Sequence, residues 1–199
     1  MKTFRILRKI DVSPAFVAFL CAYYYFDPAQ TFAPFLLSIT LHEAAHLLVL
    51  RVLRARIHRL RLSGCGATIL TEPLSYSREI LVAAAGPTVN LAILMLMAQD
   101  SPALALVNFC LFAYNMLPLY PLDGGRILRA ALHLMFSEHT AAILEKIISL
   151  LCLAALTAFA CYLTCVWHAG LWPILVCALL LVRIAGVIFP ERRILQIGG

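Results

Sequence analysis

The chain has 199 residues, of which 63% are hydrophobic and 13% charged. Soluble domains sit near half apolar and a quarter charged, so this composition excludes an ordinary soluble fold and points to one integral membrane domain over residues 1–199. The net charge of +6 reads as a membrane-orientation signal, because the basic residues cluster between apolar segments; no nucleic-acid partner is expected.

Six apolar segments follow in order, at roughly 13–26, 33–53, 79–98, 102–119, 142–164 and 170–189. A helix needs about 20 residues to cross a hydrocarbon core. The first segment is short and the fourth slightly short; the others fit. The first is preceded by Lys2, Arg5, Arg8 and Lys9, as in a signal peptide. No small-x-small cleavage site precedes Asp27, and Tyr23, Tyr24, Tyr25 and Phe26 occupy the place where cleavage would fall, so the segment reads as a retained span. Those aromatics suit a membrane interface.

Arg51, Arg54, Arg56, Arg59, Arg61 and Arg78 lie between segments two and three. Arg126 and Arg129 follow segment four, Lys146 opens segment five, and Arg183, Arg192 and Arg193 close the chain. The connections at 27–31, 99–101 and 164–170 carry no basic residue. The positive-inside rule then gives six spans with both termini cytoplasmic. The expected fold is an all-α, multi-pass bundle of about six transmembrane helices. Arg56 to Leu70 alternates partly and holds a Gly64-Cys65-Gly66 turn, which predicts a small β-hairpin at the cytoplasmic interface between helices two and three.

The second segment carries His42-Glu43-Ala44-Ala45-His46. Ionisable side chains at membrane depth are costly and mark function by default. Histidines four apart share one helix face, so two imidazoles can reach one Zn²⁺ at about 2.0–2.1 Å. Glu43 lies on the adjacent flank, placed to exchange a proton with a water that zinc acidifies. A catalytic zinc needs a third protein ligand and an open position. Asp27 and Asp100 fall on the opposite membrane side from most of the charge. Asp11, Glu72, Glu79, Glu138, Glu145 and Glu191 have polar or interfacial settings. Asp123 stands apart, at the end of Asn115-Met116-Leu117-Pro118-Leu119-Tyr120-Pro121-Leu122-Asp123-Gly124-Gly125. Two prolines predict bent or extended backbone there, and Gly124 and Gly125 allow close approach. Irregular backbone at membrane depth belongs in a protein interior or a wet cavity.

These residues resemble a known family. The HEAAH pentad, the run N-x-x-P-x-x-P-L-D-G-G and Gly86-Pro87-Thr88-Val89-Asn90 stand in the order of the site-2 proteases, the intramembrane zinc metalloproteases of peptidase family M50. The resemblance covers residues 30–130, and the run NMLPLYPLDGGRIL is most similar to the sporulation branch, the stage IV sporulation protein FB type. The resemblance implies one Zn²⁺ per chain, with His42, His46 and Asp123 as ligands and Glu43 as general base. It implies that Asn90 and Asn115 lie near the site and bond the oxyanion or the substrate backbone. Pro118 and Pro121 would shape the loop that presents Asp123.

The implied activity is that of a zinc metalloendopeptidase (EC 3.4.24.-) cutting within or beside a substrate's membrane segment, and the implied substrate a membrane-associated pro-sigma factor processed in sporulation. Inhibitory membrane proteins and the lipid bilayer are the implied partners, and association into a homo-oligomer stays open. The implied location is a bacterial cell membrane, the one surrounding the forespore in the sporulation reading. The sequence shows neither the CBS domain of the sporulation branch nor an inserted PDZ domain, so control by ATP through a CBS domain is not expected.

Three other readings compete. A metal transporter would need several sites along a path, and one compact set is present. A proteolytically inactive scaffold would have lost Glu43 or a ligand, and all four are here. A different membrane zinc peptidase would take a helix-borne glutamate as third ligand. His58, His133, His139 and His168 show no ligand spacing and read as surface or interfacial residues. Arg126 and Arg129 read as membrane anchors, or as partners for acidic substrate segments. Segments five and six read as packing helices.

Overall fold

In the computed structural model, residues 10–27, 30–63, 66–168, 174, 177–178 and 180–181 are described. They form nine elements. In chain order these are β1 (Ile10–Val12), α1 (Pro14–Tyr25), α2 (Phe32–Val52), β2 (Ile57–Ser63), β3 (Gly66–Thr71), α3 (Tyr76–Met97), α4 (Pro102–Asn115), α5 (Asp123–Met135) and α6 (Glu138–Cys165).

Three of the helices, α2, α3 and α6, are long and apolar enough to cross a membrane. The apolar helices α1 and α4 are shorter; at 1.5 Å per residue α4 extends only about 21 Å. The sixth predicted span, 170–189, falls mostly outside the described residues. Large apolar side chains such as Leu48, Met95, Leu150 and Leu151 point outward, as a lipid-facing surface requires.

The starts of the helices follow local chemistry. Ser13 caps α1 by accepting from the Phe16 N–H at 3.2 Å, with Pro14 in the first turn. Asp27 ties down the entry to α2. Its Oδ2 accepts from the Phe32 N–H at 2.6 Å and its Oδ1 from the Thr31 hydroxyl at 2.8 Å. Those bonds satisfy orphan donors and place a negative charge at the positive helix end.

Four residues of α2 are buried: Ser38, His42, His46 and Leu50. They recur every fourth position and so form one stripe. On α3, Val82, Gly86 and Asn90 repeat the same spacing among its buried residues. The two stripes face each other. A second polar contact fixes α4 against α2: the Asn108 amide donates to Ser38 Oγ at 2.8 Å.

Two strands lie between α2 and α3. β2 and β3 pair antiparallel from Ile57↔Thr71 to Ser63↔Gly66, with an irregularity between Ile57 and Arg59. The sheet gains a strand that the sequence reading lacked: β1 pairs parallel to β2 through Ile10↔Leu60 and Val12↔Leu62. The order β1-β2-β3 makes β2 central and leaves β3 at an edge among the described strands.

One expectation changes at Asp123. The backbone is irregular only from Met116 to Leu122, and Asp123 opens a helix of 13 residues. The preceding loop is anchored by Leu119 and Leu122, which pack with Leu180 against Tyr114, Leu117, Cys152, Leu153 and Leu156. Ser149 Oγ donates to Pro118 O at 3.2 Å. A Cβ at Gly124 would collide with the Met116 and Leu117 backbone, and one at Gly125 with Leu119 and Tyr120. The two glycines are therefore what lets α5 start directly under the loop.

Candidate metal centre

Two elements bring three donor atoms together. His42 and His46 project from the buried stripe of α2, and Asp123 projects from the first turn of α5. All three residues are buried. The two Nε2 atoms lie 3.1 Å apart, and each lies 3.2 Å from Asp123 Oδ2. Among the described residues this is the one cluster of histidine, cysteine and acidic side chains able to hold a metal ion.

Zinc bonds of about 2.0–2.1 Å in tetrahedral geometry require donor atoms about 3.3–3.4 Å apart. The observed triangle is within a few tenths of an ångström of one tetrahedral face. Proton bookkeeping points the same way. His46 Nδ1 lies 2.7 Å from Val82 O, and a carbonyl can only accept, so Nδ1 carries the hydrogen. In the neutral ring this leaves a lone pair on His46 Nε2, aimed at a carboxylate oxygen and at a second Nε2. One proton on His42 Nε2 can serve only one of these acceptors. A single cation serves all three, so the residues present fit a zinc ion.

The third helix makes room for the site. A Cβ on Gly86 would stand 2.5 Å from His42 Cε1, 2.5 Å from His46 Nε2 and 2.6 Å from His42 Nε2. Any side chain at this position would occupy the space beside the donor nitrogens. Glycine here is a matter of close approach. Four residues on, the Asn90 Nδ2 lies 3.1 Å from His42 Nδ1, and Asn90 is fully buried.

Asp123 divides its two oxygens. Oδ2 faces the imidazoles, while Oδ1 accepts from Arg126 Nη1 at 3.4 Å. Arg126 is in turn held by Glu79 of α3, with Nε and Nη2 at 2.8 and 2.7 Å from Glu79 Oε1. Arg126, expected at the membrane or against a substrate, pairs instead with Asp123 and Glu79. Because Asp123 opens a helix, Arg126 at i+3 falls on its face, and the sequence reading lacked that helix. Arg129 stacks over Tyr120 at 5.3 Å and reaches Glu145 at 3.8 Å.

Glu43 is half-buried next to His42, within electrostatic reach of His42, His46, Asp123 and Arg126. Asn115, the last residue of α4, donates to Leu111 O at 3.0 Å in its own helix. No described hydrogen bond joins it to the three donors. Pro118 and Pro121 lie in the loop before Asp123, as expected. His133 is not a bare surface residue: its side chain is buried, stacks edge-on with Tyr76 and approaches Glu138 at 3.5 Å.

Residues 101–159 match the profile of peptidase family M50. A zinc metalloprotease of Methanocaldococcus jannaschii is 30% identical over 117 residues, which cover 52% of this chain and 34% of that protein. The match thus spans about a third of the relative's length. A solved site-2 protease from Methanocaldococcus jannaschii superposes with a TM-score of 0.62 over 96% of this chain and 93% of that one, at 21% identity. The likeness to peptidase family M50 therefore rests on residues 101–159 and on the 117-residue match. At that identity the superposition speaks to the fold, and the matched profile includes Asp123 and its loop. The sporulation branch draws no separate support from them.

Proposed function

We propose that the chain is an intramembrane zinc metalloprotease that hydrolyses a peptide bond within or beside the membrane segment of another protein. The observation that carries this reading is the convergence of His42, His46 and Asp123 at 3.1–3.2 Å, with Glu43 beside them on an apolar, membrane-length helix.

His42, His46 and Asp123 would hold the zinc through Nε2, Nε2 and Oδ2. When bound there, zinc supplies a Lewis acid and lowers the pKa of a water toward about 7. Glu43 takes the proton from the attacking water and returns it to the leaving amine nitrogen. Arg126 and Glu79 keep Asp123 Oδ1 occupied, so that Oδ2 stays directed at the imidazoles. A helical substrate hides its scissile carbonyl in internal hydrogen bonds, so it must be held extended. Among the described strands, the outer edge of β3 offers backbone groups for that by strand addition. β2 lies between two strands and is closed to such pairing.

The substrate class in this reading is a membrane-associated protein, with a pro-sigma factor as the specific candidate and cytoplasmic access to the site. The test is cleavage of such a factor on co-expression with wild type or Glu43→Gln. Processing by wild type alone supports the protease and the base. Equal processing by both removes Glu43 from the mechanism. Absence of processing by wild type sinks this substrate.

A further inference from the structure

Asn90 carries an unexplained feature. Its side chain is completely buried, its Nδ2 faces His42 Nδ1 at 3.1 Å, and its Oδ1 has no hydrogen-bond partner. A buried polar atom without a partner is destabilising, so its persistence needs a reason. The arrangement has a definite polarity. Nδ2 can only donate, so His42 Nδ1 is the acceptor and the ring's hydrogen, when the ring is neutral, sits on Nε2.

That tautomer cannot bind a cation through Nε2. A histidine that gives its Nε2 lone pair to a metal carries its hydrogen on Nδ1 and needs an acceptor there. His46 already has one in Val82 O. For His42 the group facing Nδ1 is the Asn90 amide, and a half-turn of the amide exchanges Nδ2 for Oδ1 in the same volume.

We propose that Asn90 is the positioning residue for His42: its buried amide stands against Nδ1, where Oδ1 can accept the hydrogen that a metal-binding ring carries there. This rests on the zinc reading above and assigns Asn90 to the ligand, where the sequence reading gave it to the substrate or the oxyanion. The orphaned Oδ1 is then the acceptor that the loaded site uses.

The chain has three asparagines, Asn90, Asn108 and Asn115. The amides of Asn108 and Asn115 donate within or beside α4, to Leu104 O and Ser38 Oγ and to Leu111 O. Selective ¹⁵N-asparagine labelling of the full chain in detergent micelles therefore gives two internal controls. Zinc titration is expected to move the Asn90 side-chain N–H₂ resonances and leave the other two pairs in place. Unmoved Asn90 resonances in a chain that binds zinc would overturn the proposal.

Zinc affinity by competition with a chromophoric chelator supplies the second readout. Asn90→Leu is expected to weaken binding about tenfold to a hundredfold. Asn90→Asp keeps an acceptor and is expected to restore it. Wild-type affinity in Asn90→Leu, or no rescue by Asn90→Asp, would contradict the assignment while leaving the zinc protease reading intact. Failure of wild type to bind zinc would remove both.

Discussion

α2 and α6 have the same apolar character and the length to span a membrane, yet they use their residues differently. α2 buries four side chains in 21 residues, and three of them are polar: Ser38, His42 and His46. α6 buries two in 28, Ala141 and Ala160. Polar groups at membrane depth persist where a facing helix supplies partners. α2 has Val82 O, Asn90 and Asn108 opposite its stripe. α6 packs Cys152, Leu153 and Leu156 against the loop before Asp123 and turns long apolar side chains such as Leu150 and Leu151 outward. The difference teaches that the candidate metal donors sit on the helix packed against α3 and α4, with Asp123 of α5 beside it, while α6 contributes packing.

The sharpest way to break that contrast is to fill the gap at Gly86. Gly86→Val would drive its side chain into both imidazoles. Loss of zinc binding is expected, with overpacking costing about 1–3 kcal/mol; metal analysis and detergent unfolding check both. A smaller effect is expected from Arg126→Met. It frees Asp123 Oδ1 and strands Glu79, so zinc affinity should fall about tenfold, as read by chelator competition.

Asn108→Leu removes a polar tie between α2 and α4 away from the metal donors. A loss of about 0.6 kcal/mol, up to about 1.7, is expected in denaturation by SDS, with zinc affinity unchanged. The smallest effect belongs to α6. Phe159 is 58% exposed, and Phe159→Leu should change stability by less than about 0.5 kcal/mol and leave zinc binding intact in the same assays. A larger response from Phe159→Leu than from Asn108→Leu would reverse the contrast.

The metal centre was legible in part. His42, Glu43 and His46 declare themselves by four-residue spacing inside an apolar run, which depends only on helical periodicity. Asp123 is visible through the prolines and glycines around it, since each has a local backbone meaning. The helix it opens is harder to see, because Gly124 and Gly125 are poor helix formers and mask the start. The alternation of Ile127, Ala130, Ala131 and Leu134 with Arg126, Arg129 and His133 is the signal that could have found it.

Other features were not legible because they join distant residues. β1 pairs with a strand some 50 positions later, and a three-residue segment has too little pattern to show that. Ser38 and Asn108 are 70 residues apart, and neither carries a motif. The roles of Arg126 and Asn90 depend on which side chain faces them across an interface, which spacing along one helix does not encode.

Metal analysis of the purified chain tests the central claim most directly, with wild type compared with Asp123→Ala and Glu43→Gln. The account predicts a single zinc per chain in wild type and in Glu43→Gln, and its loss in Asp123→Ala. Zinc retained undiminished in Asp123→Ala, or absent from wild type, would contradict it.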